Sequence, residues 1–260
     1  FSYQLVQGYD FYWLWKNKNC KVQLGGSDQW GNIVTGTELV RRKGEGKAYA
    51  ITTPLIKKAD GGKFGKTESG NVWLDKTKTS PYKFYQFWLN SSDEDAKNYI
   101  KIFTLLSQTE IEKLIAEHDE TPHLRVLQKF LADEITILVH EKSNLEVAKK
   151  TSKILFGKSK YEDLIKMNEI ELESLSSAVP CVTIKRSNLS NSLTSILSED
   201  SKNQIFKSKS DVRRMINNNG LSINKKKITD EKYNVSENLL LNKFILLQKG
   251  KKHYTFIIVE

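Results

Sequence analysis

Residues 20–32 read Cys-Lys-Val-Gln-Leu-Gly-Gly-Ser-Asp-Gln-Trp-Gly-Asn, and this stretch decides the fold of the first part of the chain. Residues 20–24 are typical of a short strand, which the following glycine pair ends. The apolar spacing predicts a helix over residues 29–42 and a second strand over residues 49–55. Strand, glycine turn, helix and strand form a parallel βαβ unit. Because ligands bind at the carboxyl ends of parallel strands, we expect a binding site at the glycine turn.

A helix is predicted upstream of this unit, over residues 3–16, and it carries a polar row among aromatic side chains. Tyr3, Gln7 and Asp10 are spaced i, i+4 and i+7, so they share one face of the helix. Such a row is suited to line a pocket for an ammonium group and a hydroxyl. A solvent-facing polar stripe is the alternative interpretation.

The segment 58–68, Lys-Ala-Asp-Gly-Gly-Lys-Phe-Gly-Lys-Thr-Glu, predicts a mobile cationic loop. Lys63 and Lys66 can neutralise charge that develops on a polyphosphate, and the Thr67 hydroxyl adds a donor. Asp28, at the glycine turn, can accept a hydrogen bond from a ribose hydroxyl. The alternatives are an exposed polar turn for the lysines and a helix N-cap for Asp28.

The chain beyond this loop is predicted to be helical from about residue 80 to residue 175. Ser80-Pro81 marks a helix start, since serine caps helices and proline fits the first helical position. Ser107-x-x-Glu110 and Ser143-x-x-Glu146 have the spacing of capping boxes, and Gly157 is expected to end a helix. This region therefore reads as a helical bundle.

The last part of the chain is predicted to be small and mixed in structure. Residues 185–203 are rich in Ser, Asn and Lys and are the best linker candidate. A helix is expected over 208–219, a strand and turn over 221–228, and a hairpin from the strands 244–248 and 254–259.

Positive charge is concentrated in this last part. Residues 185–260 contain 15 Lys and Arg against 7 Asp and Glu, whereas residues 1–184 contain 26 against 24. A basic surface of this kind attracts phosphate backbones in a salt-dependent manner. A solvated, solubilising surface is the alternative.

Composition excludes several classes of protein. No run of about 18 apolar residues is present, so we expect no transmembrane helix and no membrane partner. Cys20 and Cys181 stand at no metal-ligand spacing, and two isolated cysteines fit a reducing cytoplasm. The first residue is not Met, so we expect the chain to begin inside a larger protein.

Several segments in one order resemble bacterial tyrosyl-tRNA synthetases, closely over roughly residues 1–140 and more loosely beyond. The resemblance implies an α/β fold with a partial Rossmann-like class I synthetase catalytic domain in residues 1–78. A helical, anticodon-side domain follows in 79–184, and a small basic α+β RNA-binding domain in 185–260. The segments that carry the resemblance are 1–11, 25–32, 58–68, Trp73-Leu-Asp75, Thr79-Ser-Pro-Tyr82 and Phe84-Tyr-Gln-Phe-Trp88.

The resemblance implies ATP-dependent activation of tyrosine to tyrosyl-adenylate and its transfer to tRNA(Tyr). Tyr3 and Gln7 would hold the α-ammonium group of tyrosine, and Asp10 would accept from its phenol. Gln29 would also contact the amino acid, and Gln23 would support the pocket. Gly26 and Asp28 would bind the adenylate. The KMSKS-type loop of the family would correspond to Lys63, Lys66 and Thr67.

The basic C-terminal part resembles an RNA-binding module that bacterial tyrosyl enzymes share with a ribosomal protein. The resemblance implies that Arg213, Arg214, Lys225, Lys226 and Lys227 contact phosphates of the tRNA, which positions RNA without reading bases. Mg²⁺ is expected to arrive with ATP, and no other cofactor and no metal site of the protein is expected.

One feature departs from the family. A His-x-Gly-His element is absent, and the histidines are His118, His123, His140 and His253. We therefore expect the chain to be the C-terminal portion of a homodimeric synthetase, with catalysis a property of the whole protein. An RNA-binding module without enzymatic activity and a tryptophanyl-tRNA synthetase remain as alternatives.

Overall fold

The computed structural model describes residues 2–62, 64–67, 70–250 and 253–260, with the backbone alone at residues 66 and 67. The chain forms two compact units, Phe1–Lys66 and Thr67–Glu260.

The first unit contains the predicted βαβ arrangement, preceded by a helix. Its elements are α1 (Ser2–Lys18), β1 (Val22–Gly26), α2 (Trp30–Lys43) and β2 (Tyr49–Thr53). The two strands pair in parallel, with Val22 opposite Tyr49 and Gly26 opposite Thr53. A short 3-10 turn, Ser27–Gln29, joins β1 to α2 and lies at the carboxyl end of β1. Two strands of two residues each follow along the chain: β3 (Lys66–Thr67), at the boundary between the two units, and β4 (Gly70–Asn71), in the second unit.

Helices α1 and α2 cross where each lacks a side chain. A Cβ atom on Gly8 would lie 2.9 Å from Thr35 Cγ2, and one on Gly36 would lie 2.7 Å from Phe11 Cδ1. Phe11 is 1% exposed, so its ring fills the space that a side chain at position 36 would need. The polar row on α1 is therefore positioned by a glycine-mediated contact.

The second unit begins with the predicted helical bundle. Ser80 accepts a hydrogen bond from the Lys83 amide and caps the first helix, and Ser107 and Glu110 form the predicted capping box. Gly157 ends the helix Val126–Phe156, as expected. The helices are α3 (Pro81–Leu89), α4 (Asp93–Phe103), α5 (Gln108–Glu120), α6 (Val126–Phe156), α7 (Tyr161–Leu164) and α8 (Glu169–Ala178).

The predicted capping box at Ser143 is wrong. Ser143 lies inside α6, and the irregular residue is Glu141, with φ 68° and ψ 161°. A non-glycine residue with these angles is strained, so the surrounding packing fixes the break at Glu141.

A five-stranded sheet ends the second unit, in the order β5-β9-β8-β6-β7. The β5–β9 pair is parallel and the other pairs are antiparallel. The elements are β5 (Cys181–Ile184), α9 (Leu193–Ile196), α10 (Lys209–Asn217), β6 (Leu221–Ile223), β7 (Lys226–Lys227), β8 (Phe244–Lys249) and β9 (His253–Val259).

The linker prediction for residues 185–203 is wrong. Leu189, Leu193, Ile196 and Leu197 are each at most 8% exposed and belong to the core beneath the sheet. The segment is polar in composition, but its few apolar side chains all point inward. It is therefore part of the C-terminal fold.

No helix in the described part of the chain is both long and apolar enough to cross a membrane. Cys20 and Cys181 are both free thiols.

His140, one residue before the break in α6, gives the chain a pH-dependent stability. It is 5% exposed, and its ring meets Phe84 edge-on, with centroids 4.7 Å apart. Burial, and then the charge of Lys76, lower the pKa of His140 below its usual 6.5. The unfolded chain therefore binds a proton at a higher pH than the folded chain, so stability is full above about pH 6.5 and falls as the pH drops.

When the pH falls from 7.5 to 5.5, we expect the free energy of unfolding to decrease less in His140→Leu than in the wild-type chain. Urea unfolding at both pH values measures the difference in the midpoint. The control is His253→Gln, at an exposed position of β9. An equal pH response of the wild-type chain and His140→Leu would contradict the assignment.

Candidate active site

The candidate site is built around the carboxyl end of β1. At this point the chain turns sharply, because Gly26 is followed directly by the 3-10 turn that contains Asp28 and Gln29. A Cβ atom on Gly26 would lie 2.7 Å from Asp28 Oδ1 and 3.0 Å from Leu55 Cδ2. Only glycine therefore leaves the Asp28 carboxylate where it is.

Asp28 and Gln29 are linked side chain to side chain. Gln29 Nε2 donates to Asp28 Oδ2 at 3.0 Å, and Asn32 Nδ2 donates to Gln29 Oε1 at 3.0 Å. Asp28 is exposed and Gln29 is half-buried. The chain of hydrogen bonds fixes the orientation of the Gln29 amide and leaves Asp28 Oδ1 directed at the glycine turn. Asp28 makes no side-chain hydrogen bond that caps α2. The alternative interpretation of Asp28 as the N-cap of this helix is therefore wrong.

Gln23 lies on the same face of β1 as Gly25, since alternate residues of a strand share a face. A Cβ atom on Gly25 would meet Gln29 and Ile33, so this face is the one that α2 covers. Gln23 Oε1 is buried and has no hydrogen-bond partner among the residues that the structure describes. A buried acceptor without a partner is costly, and a bound polar group would satisfy it.

Helix α1, which carries the polar row, is joined to the start of α2 by a hydrogen bond. Gln4 Nε2 donates to the Gly31 carbonyl at 3.0 Å, which ties the start of α1 to the start of α2. The sequence analysis did not identify Gln4 as a residue of this region. A Cβ atom on Gly31 would lie 3.1 Å from Gln4 Nε2, so the glycine at position 31 was the available signal of this close contact. On the row itself, Gln7 is half-buried, whereas Tyr3 and Asp10 are exposed.

The structure brings Gly26, Asp28 and Gln29 together directly. It places Tyr3, Gln7 and Asp10 on the neighbouring helix, and within the described residues no hydrogen bond joins this row to Asp28 or Gln29. A shared site for this row and the Gly26 turn therefore stays a prediction.

The cationic loop is partly described. Lys58 N donates to the Gly62 carbonyl at 3.0 Å, and Gly61 and Gly65 adopt φ of 82° and 76°. These left-handed angles favour glycine and turn the chain on both sides of position 63. Lys63 and the side chains of Lys66 and Thr67 lie outside the described residues.

Four of the five predicted RNA-binding cations of the C-terminal part contact other side chains of the chain. Arg213 Nε donates to Glu231 Oε2 at 2.9 Å, and Arg214 pairs with Asp211. Lys225 Nζ donates to Tyr254 Oη at 2.8 Å, and burial lowers the pKa of Lys225. Lys226 Nζ lies 3.5 Å from the centre of the Tyr161 ring, while Lys227 is exposed.

Sequence reasoning missed two cations that accompany Arg213. Arg186 and Lys232 line the same open groove, of about 810 Å³, between the segments 186–194 and 231–236. Lys232 stands one residue after Glu231, and this alternation of charge was the available signal.

Comparison with known proteins gives two family matches. The family described as tRNA synthetases class I (W and Y) matches residues 1–157. The tyrosine--tRNA ligase SYY-like C-terminal domain matches residues 171–257.

Individual relatives are similar over the whole chain. The tyrosine--tRNA ligases of Flavobacterium johnsoniae and Porphyromonas gingivalis are each 54% identical, covering 100% of this chain and 61% of their own length. The crystal structure of a C-terminally truncated Aspergillus nidulans mitochondrial tyrosyl-tRNA synthetase is 34% identical, with a TM-score of 0.50 over 59% of this chain and 44% of that one. The chain thus spans about three fifths of the length of the curated relatives.

The strand–glycine turn–helix site and the family match over residues 1–157 agree, and the chain belongs to the class I tRNA synthetases of the W and Y family.

Proposed function

We propose that the whole protein is a tyrosine--tRNA ligase, which activates tyrosine with ATP and transfers it to tRNA(Tyr). The observation that carries the proposal is the turn at Gly26 and Asp28, where a carboxylate is held beside a strand end that only glycine permits. The choice of tyrosine is supported by the 54% identity to tyrosine--tRNA ligases.

Activation of an amino acid by ATP needs alignment and charge stabilisation, since the carboxylate attacks the α-phosphorus and pyrophosphate leaves. Asp28 accepts from the ribose hydroxyls, and Gly26 lets the sugar approach the backbone. Gln29 and Gln23 orient the amino acid, with the Gln23 oxygen gaining the partner that it lacks.

The row on α1 recognises tyrosine. Tyr3 and Gln7 bind the α-ammonium group, and Asp10 accepts a hydrogen bond from the phenol. Lys63, Lys66 and Thr67 bind the phosphates from their loop and stabilise the charge on the departing pyrophosphate. Mg²⁺ enters with the triphosphate, because it binds phosphate oxygens readily while keeping several waters.

The remaining expectations are part of the same proposal. The predicted domains are 1–78, 79–184 and 185–260. We move the start of the last domain to residue 181, because β5 pairs with β9. Arg213, Arg214, Lys225, Lys226 and Lys227 contact RNA phosphates, with Arg186 and Lys232 beside Arg213. The whole protein is a cytoplasmic homodimer.

The direct test is ATP–pyrophosphate exchange by the whole protein with tyrosine or tryptophan as the amino acid. Exchange that depends on tyrosine, and is not competed by tryptophan, supports the proposal. Exchange that depends on tryptophan would favour the tryptophanyl alternative, and an absence of exchange with either amino acid would favour a module that only binds RNA.

Asp10 is the residue through which we expect tyrosine to be distinguished from phenylalanine. A hydrogen bond to a charged acceptor contributes about 1.5–3 kcal/mol, so Asp10→Ala should lower kcat/KM for tyrosine by about 10- to 150-fold. Phenylalanine lacks the hydroxyl that donates to Asp10, so its kcat/KM should change much less in this variant. Exchange assays with both amino acids measure the ratio.

Glu45→Asn is the matched control for Asp10→Ala. Glu45 is an exposed acidic residue of the same unit, and asparagine tolerates its left-handed backbone at φ 53°. A tyrosine-to-phenylalanine ratio that changes equally in the two variants would remove Asp10 from the pocket.

A further inference from the structure

A second groove lies in the first unit, at the end of the β1–β2 pair opposite the Gly26 turn. It has a volume of about 490 Å³, and Lys21, which precedes β1, stands at its edge. The five residues of β1 separate the two ends by roughly 15 Å. We call it the basic groove, and it is lined by Tyr12, Trp15, Lys16, Asn19, Lys21, Lys43 and Gly44.

The floor of the basic groove is a built aromatic surface. The rings of Tyr12 and Trp15 are stacked, with centroids 6.3 Å apart and planes at 23°. Trp15 Nε1 donates to the Lys47 carbonyl at 3.2 Å. A Cβ atom on Gly44 or Gly46 would lie 2.6 or 2.1 Å from the indole, so the loop after α2 packs directly on this ring. The floor therefore has a fixed shape.

The three lysines around this floor carry charge that nothing described in the structure neutralises. Lys16, Lys21 and Lys43 are exposed, and none forms an ion pair with a carboxylate of the described residues. Lys43 Nζ lies 6.0 Å from the centre of the Tyr12 ring. Like charges around one concavity repel each other, which an anionic ligand would relieve.

The neighbouring arginines of α2, unlike these three lysines, are neutralised by a carboxylate. Arg41 and Arg42 both bind Glu38, at 2.6 and 2.5 Å, and these hydrogen bonds lower the pKa of Glu38 to about 2. Helix dipoles account for cations in the last turns of α1 and α2, where Lys16 and Lys43 stand. They do not account for Lys21, which lies in the segment after α1, or for the convergence of all three lysines on one groove.

We propose that the basic groove binds the phosphodiester backbone of RNA. This inference rests on the proposed function, which supplies an RNA substrate. The groove is open and its cations are lysines on flexible stems, an arrangement that suits a run of phosphates better than one enclosed anion. The groove thus contacts a part of the RNA about 15 Å away from the adenylate.

The test compares binding of a tRNA(Tyr) transcript to three forms of the whole protein by filter binding at several salt concentrations. The forms are the wild type, the groove variant Lys16→Gln/Lys21→Gln/Lys43→Gln, and the control variant Lys18→Gln/Lys47→Gln/Lys57→Gln. The two variants lose the same charge from exposed positions of the same unit. Circular dichroism establishes that each variant is folded.

Each phosphate contact contributes about 0.7–0.9 to the slope of log Kobs against log salt concentration. We therefore expect the groove variant to lose about 2 to 3 from this slope, and the control variant to keep most of the wild-type slope. A slope that falls equally in both variants, or in neither, would overturn the groove while leaving the proposed function intact. A wild-type protein that binds no tRNA at any salt concentration would overturn the RNA part of the proposed function together with the groove.

Discussion

Replacing Lys66 by alanine in the whole protein is expected to lower tyrosine-dependent ATP–pyrophosphate exchange by about 10²- to 10³-fold. Negative charge grows on the phosphates as pyrophosphate leaves, and a cation placed there acts mainly on the transition state. The loss should therefore appear in kcat and kcat/KM together, with a small change in the KM for tyrosine.

The loop geometry supports this expectation. Gly61 and Gly65 have left-handed backbone angles on either side of position 63. The turn over residues 58–62 is closed by a hydrogen bond from Lys58 N to the Gly62 carbonyl. A loop turned by glycines has little steric resistance to closing over a nucleotide.

Lys57→Ala is the control for Lys66→Ala, because it removes an exposed lysine that precedes the glycine-rich turn. Exchange should remain near the wild-type rate in this variant. If Lys66→Ala retains wild-type exchange while its fold is intact, the loop has no part in activation.

Local sequence signals predicted the first unit well. The glycine pair, the helix that follows it and the second strand all stand within residues 20–55, and each is decided by short-range chemistry. The same holds for the Ser107–Glu110 capping box, whose two partners are three residues apart. The turn that holds Asp28 could therefore be read from the chain directly.

The failures have long-range causes. Ser143 has a capping spacing, but the second of the two helices that meet in α6 already begins at the kink at Glu141, two residues earlier. The linker prediction for residues 185–203 was based on their Ser and Asn content. The helical spacing of the apolar residues at 189, 193, 196 and 197 was the better signal, because these four side chains are buried.

The basic residues illustrate a further limit of sequence reasoning. Lys225 and Lys226 stand in a run of three lysines, yet Lys225 is turned toward Tyr254 and Lys226 toward Tyr161. These partners are 29 and 65 residues away in sequence. Charge runs therefore predicted a basic domain without predicting which side chains remain available to a ligand.

The second large effect is expected at the crossing of α1 and α2. Gly36→Val should destabilise the first unit by about 2–3 kcal/mol, because overpacking a filled site forces side chains and backbone to move. A Cβ atom at position 36 would lie 2.7 Å from Phe11 Cδ1 and 2.9 Å from Phe11 Cβ, and Phe11 is buried. Helix α1 must move away from α2 to admit it.

Hydrogen exchange of the α1 and α2 amides is the appropriate measurement, because the two units of the chain need not unfold together. Protection of these amides should fall by about 30- to 150-fold in Gly36→Val, which corresponds to the same 2–3 kcal/mol. Gly31→Ala is the control in the same helix, since its Cβ meets only the flexible end of Gln4, at 3.1 Å. Gly31 is the second residue of α2, and alanine is accepted in a helix at least as well as glycine, so protection should hold or rise. Unchanged protection in Gly36→Val would mean that the polar row on α1 is positioned by something other than this glycine contact.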